Sequence, residues 1–203
     1  INRSTFRLRS VRLAIAWCLV LTFLPPDVAR GDDAHDWPMW GYDAARSWSS
    51  PMEIPGKLHL QWTLELPAPQ RAWPTQLDDA DKLEFDRSYS PIVYGERLFV
   101  ASMNSDRLTA YRVADGTEVW RHYADGPVRL APAVAEGKVY FVSDDGFLRC
   151  LDAASGQLVW QFRAAPTNRL VLGNRRLVSM WAARGGPVIR DGVVSFAAGV
   201  WPF

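Results

Sequence analysis

The stretch that decides the fold is Leu148-Arg149-Cys150-Leu151-Asp152-Ala153-Ala154-Ser155-Gly156-Gln157-Leu158-Val159-Trp160, because the chain writes it twice. Its earlier version runs Leu108-Thr109-Ala110-Tyr111-Arg112-Val113-Ala114-Asp115-Gly116-Thr117-Glu118-Val119-Trp120. The match extends upstream. Ser90-Pro91-Ile92-Val93 and Arg97–Ser102 answer to Ala131-Pro132-Ala133-Val134 and Lys138–Ser143. Pro91 to Pro132 is 41 positions, while Gly116 to Gly156 and Trp120 to Trp160 are both 40. Within each unit, β-branched and aromatic runs alternate with turn residues such as Gly95-Glu96, Asp115-Gly116, Asp144-Asp145-Gly146 and Ser155-Gly156. Four short strands joined by tight turns, repeated about every 40 residues, form the pattern of a propeller blade.

The fold expected is therefore all-β. It is a partial β-propeller of four-stranded antiparallel blades, spanning 58–203. Two full blades lie at about 88–123 and 129–163, and an incomplete one at 184–203 opens on Gly186-Pro187-Val188-Ile189. Upstream, Leu58–Leu64 with Trp62 reads as a closing strand, the outer strand of a unit whose other strands are absent. Such a segment stops before the ring can close, and a sheet with uncovered faces is marginal alone.

Outside the repeats, Arg3, Arg7, Arg9 and Arg12 precede an apolar run from Leu13 to Leu24, and Pro25-Pro26 ends it. The run is short for a membrane span and has the basic start of a signal peptide, expected at 1–31 with cleavage after Gly31. Residues 32–57 are then a lead-in segment. Export implies a periplasmic or secreted protein, with no membrane attachment after cleavage. Only Cys150 would remain in the mature chain, as a small buried hydrophobe without a disulfide.

Hydrophobic residues at 48% and charged residues at 22% describe a globular chain rather than a disordered one. Basic and acidic side chains nearly cancel, 23 against 22, which argues against a nucleic-acid partner.

The end of each unit resembles the tryptophan-docking motif of pyrroloquinoline-quinone (PQQ) type propellers: Ala, x, Asp, two residues, Thr-Gly, three residues, Trp. The second unit keeps Asp152, Gly156 and Trp160; the first keeps Gly116 and Trp120 but has Arg112 in place of the Asp. Trp37 to Ser47 also resembles the opening segment of such proteins. The resemblance implies that Gly permits the positive-φ turn while Trp joins neighbouring blades. It does not bring the cofactor with it, since quinone dehydrogenases of this fold carry a vicinal Cys pair, a calcium site and a catalytic Asp. PQQ and calcium are expected only if this is the N-terminal part of such a dehydrogenase. The reading preferred on sequence is a binding or scaffold module of the cell envelope.

No catalytic, cofactor or metal constellation stands out. His35, His59 and His122 are scattered, and Asp78-Asp79-Ala80-Asp81 lacks the rest of a calcium loop. Two insertions, about Pro67–Arg87 and Ala164–Gly185, join one unit to the next at the end where the innermost strands begin. Arg129 and Arg184 stand three residues before a blade-opening proline and Arg87 four before. Equivalent positions in a radial array converge, so these guanidinium groups could ring the channel mouth and hold a small anion. A protein or a small anionic ligand at that face is the expected partner.

Overall fold

The computed structural model describes residues 35–72, 88–173 and 175–199. The expected signal peptide, Arg87, and Asp78, Asp79 and Asp81 lie outside these residues. So do the close of the first insertion and Trp201–Phe203.

Two four-stranded antiparallel sheets form the body. The first runs in order β1 (Ile92–Tyr94), β2 (Arg97–Ser102), β3 (Arg107–Arg112), β4 (Glu118–Tyr123). The second repeats it as β5 (Ala133–Ala135), β6 (Lys138–Val142), β7 (Phe147–Asp152), β8 (Leu158–Arg163). Gly116 and Gly156 turn the third strand into the fourth at φ +72° and +71°, a region that a Cβ disfavours. Each sheet then bulges at the same place. Ala110 pairs with Trp120 but Tyr111 with Glu118, and Cys150 pairs with Trp160 but Leu151 with Leu158. Val119 and Val159 are the residues skipped, and a bulge there re-aims the tryptophan that follows.

The core lies between the sheets. Phe99, Leu108 and Trp120 of the first blade meet Val139, Phe141 and Leu151 of the second in one buried cluster. The opposite face of β6 and β7 carries Val142 and Leu148, which pack with Ala183, Val194 and Phe196 of the third unit. Because side chains alternate along a strand, one sheet serves two interfaces. A blade with both faces apolar is unstable without neighbours.

The third unit is the hairpin β11 (Ala183–Arg190) and β12 (Val193–Ala198). The second insertion has structure of its own, a hairpin of β9 (Leu170–Gly173) and β10 (Arg176–Ser179). Leu58–Leu64 joins no ladder among the described residues, although its Trp62 sits against the first blade. The lead-in segment binds the inner edges of both blades. Trp37 exchanges two backbone hydrogen bonds with Val93, and Pro38 O accepts from Val134 N at 2.8 Å. Among the described residues there is no helix, and none is long and apolar enough to cross a membrane.

Candidate functional site

Two arrangements carry the chemistry of this segment: the joints between blades, and an ion cluster at the end where the innermost strands begin.

The joints obey one geometry twice. Trp120 Nε1 donates to Ala153 O at 3.1 Å, and its ring lies over Gly156 so closely that a Cβ there would come 2.5 Å from Trp120 Cδ2. Trp62 Nε1 donates to Val113 O at 2.8 Å, and a Cβ on Gly116 would meet Trp62 Cε3 at 2.8 Å. Val113 and Ala153 are equivalent positions, each three before the turn glycine. Glycine is thus required twice over, for the sign of φ and for room under an indole. Trp160 has no counterpart of this contact among the described residues and is 38% exposed.

The turns beneath these tryptophans are closed by carboxylates. Asp152 Oδ1 accepts from the Ser155 N–H at 2.8 Å and the Ser155 hydroxyl at 2.6 Å, which holds its carboxyl below the usual range. The first blade has Arg112 at that position. Asp115 does the work instead, accepting from Thr117 Oγ1 at 2.6 Å and Thr117 N at 2.9 Å, with Arg112 alongside at 2.9 Å. These hydrogen bonds, Thr117's hydroxyl first, hold the Asp115 carboxyl down at about 2. Cys150 is buried and free, and burial pushes its thiol up, away from the reactive thiolate.

At the channel end, the structure places Arg129 before β5 and Arg184 at the start of β11, and it brings them together on one carboxylate. Arg129 Nε donates to Asp144 Oδ2 at 2.7 Å, and Arg184 Nη2 lies 3.5 Å from the same oxygen. Arg129 Nη1 also donates to Gln70 O at 2.5 Å, at the root of the first insertion. Beside them Arg149 has its own partners, Asp145 at 2.6 Å and Ser143 Oγ at 2.7 Å. Arg176 of the β9–β10 hairpin pairs with Asp106 in the β2–β3 turn, so the second insertion does cover this end. Among the described residues no three His, Cys, Asp or Glu side chains are placed to hold a metal.

Sequence reading placed Trp62 on a closing strand and Asp115 and Asp144 in turns, and missed the contacts all three make. Trp62 had a usable signal. It precedes Gly116 by 54 residues where Trp120 precedes Gly156 by 36, and the excess of 18 falls within the first insertion. Asp115-x-Thr117 is a local turn signature and was also readable. Asp144 was not, because its partners lie 15 and 40 residues away.

Blades of four antiparallel strands, stacked face to face at a 40-residue period, define a β-propeller repeat protein. The chain belongs to the PQQ-like repeat family: the family described as outer membrane protein assembly factor BamB matches residues 47–195. Among curated proteins it is 28% identical over 185 residues to the dehydrogenase subunit of the quinone-type alcohol dehydrogenase of Gluconobacter oxydans strain 621H, covering 83% of this chain and 22% of that one. Among solved structures, the quinohemoprotein alcohol dehydrogenase of Comamonas testosteroni superposes with a TM-score of 0.58 at 22% identity, over 85% of this chain and 24% of that one. A second such enzyme, from Pseudomonas putida HK5, gives 0.51 at 22% identity, over 81% and 23%. Both structures share the fold. The chain spans less than a quarter of the length of each of these three proteins.

Proposed function

We propose that this chain is exported to the cell envelope and acts there as a binding or scaffold module, with a partner protein on the channel end of the propeller. One observation carries the reading: two seated tryptophans and one cluster of two arginines on a carboxylate are engaged in joining blades. Trp62 and Trp120 are seated on neighbouring turns, and Arg129 and Arg184 share a carboxylate of the chain itself. Loops at that end, including the β9–β10 hairpin with exposed Leu172 and Leu177, supply the contact surface.

A second reading is favoured by the alignment to the Gluconobacter oxydans subunit: the segment belongs to a quinone-dependent alcohol dehydrogenase. The described residues do not fit PQQ. That cofactor carries three carboxylates, and the paired guanidinium groups that suit a carboxylate are already bridged by Asp144.

The test is reconstitution of the full-length protein with PQQ and calcium, followed by quinone absorbance after gel filtration and by dye reduction with primary alcohols. A scaffold retains no quinone and oxidises no alcohol. A stoichiometric complex that reduces the dye overturns the reading.

A further inference from the structure

Asp144 stands where four segments cross. Its carboxylate takes Arg129, which leads into the second blade, and Arg184, which opens the third unit. Its N–H donates to Pro127 O at 2.9 Å, and its C=O accepts from Ser179 N at 2.8 Å. The side chains are withdrawn from water: 1% exposed for Asp144, 4% for Arg129 and 15% for Arg184.

The turn does not require a carboxylate. Counting from the ladder pairs Ala101–Leu108 and Val142–Leu148, Met103 of the first blade occupies the position of Asp144, and it is equally buried at 1%. An apolar side chain satisfies the fold there. What differs in the second blade is the arrival of one buried and one partly buried guanidinium group, which call for a counter-anion. Two arginines closing on one carboxylate is also how proteins hold a small carboxylate or phosphate ligand.

We infer that Asp144 is a resident counter-anion: a carboxylate of the chain occupies the seat that a small external carboxylate would take between Arg129 and Arg184. In filling that seat it also fastens the opening of the third repeat to the second. The pair of arginines is therefore a latent site for small carboxylates, closed from within. The inference does not depend on the partner of the full protein. Quinone-linked activity would overturn the scaffold reading and leave this one standing.

Chemical rescue tests it in the full-length protein. Asp144→Ala removes the carboxylate and leaves a gap of its size, with an expected fall in Tm of roughly 10 °C. Sodium formate then recovers much of that loss in a saturable way, whereas sodium chloride at equal ionic strength does not. Asp144→Met, which fills the gap as Met103 does, shows no rescue, and the wild type gains nothing specific from formate. Should Asp144→Ala fail to accumulate, it is refolded from denaturant in each salt, and formate-dependent recovery is the expected result. Equal behaviour of Asp144→Ala in the two salts, or saturable stabilisation of the wild type by formate, overturns the inference.

Discussion

The two complete blades have the same strands, the same bulge and the same turn glycine, yet they differ at the channel end and at the outer edge. At the channel end the first blade buries Met103 and Thr109 where the second buries Asp144 and Arg149. At the outer edge Trp120 is 9% exposed against the second blade, while Trp160 is 38% exposed and all of β8 faces solvent. The lesson is that the repeat specifies the blade, and the neighbour specifies the interface. Residues that set strand and turn recur; residues that meet the adjacent unit change with what that unit brings.

The largest effect expected is at the seated indole. Trp120→Ala removes a buried ring and the hydrogen bond to Ala153, for a loss of about 3–5 kcal/mol measured by urea denaturation. In the 203-residue chain Trp160→Ala gives a much smaller loss, about 1 kcal/mol, because the ring exposed there has less to lose. Equal losses in the full-length protein would break the comparison, by showing that another part of the chain covers Trp160 as the second blade covers Trp120.

A smaller effect separates glycines of equal φ. Gly156→Ala meets both a positive φ and the Trp120 ring, so it destabilises by roughly 2–4 kcal/mol. Gly192 has φ +74° and open space around its Cβ position, so Gly192→Ala carries only the backbone term, about 1 kcal/mol. The difference in denaturation midpoint between the two variants isolates the contact with the neighbouring blade.

The smallest effect distinguishes the turns themselves. Hydrogen bonds from Thr117 hold the Asp115 carboxyl down at about 2, below the ordinary aspartate value of 3.8, so its contribution is complete above that ordinary value and is lost as pH falls toward 2. Thr117→Val removes the hydroxyl that contributes most to this shift. It lowers Tm slightly near neutrality and leaves Tm near pH 2 unchanged, so that the acid limb flattens. A full acid limb in Thr117→Val would assign it to other carboxylates, Asp152 among them, whose pKa is lowered in the same way by Ser155.

Sequence alone determined the all-β class, the 40-residue blade, the turn glycines and the tryptophans at the outer strands. These were legible because each rests on local physics: alternation over a strand, positive φ at a turn, and a period that repeats. The tertiary structure alone decided which side chains meet. It put Trp62 on the turn of Gly116, gave the second insertion its own hairpin, and joined Arg176 to Asp106 across 70 residues. It also placed a protein carboxylate between Arg129 and Arg184, where the radial argument had left room for an external anion. Arg129 and Arg184 meet on Asp144, while Arg87 lies outside the described residues. Contacts between blades join residues far apart in the chain, and no periodic signal records which charge stands opposite another once the sheets have stacked.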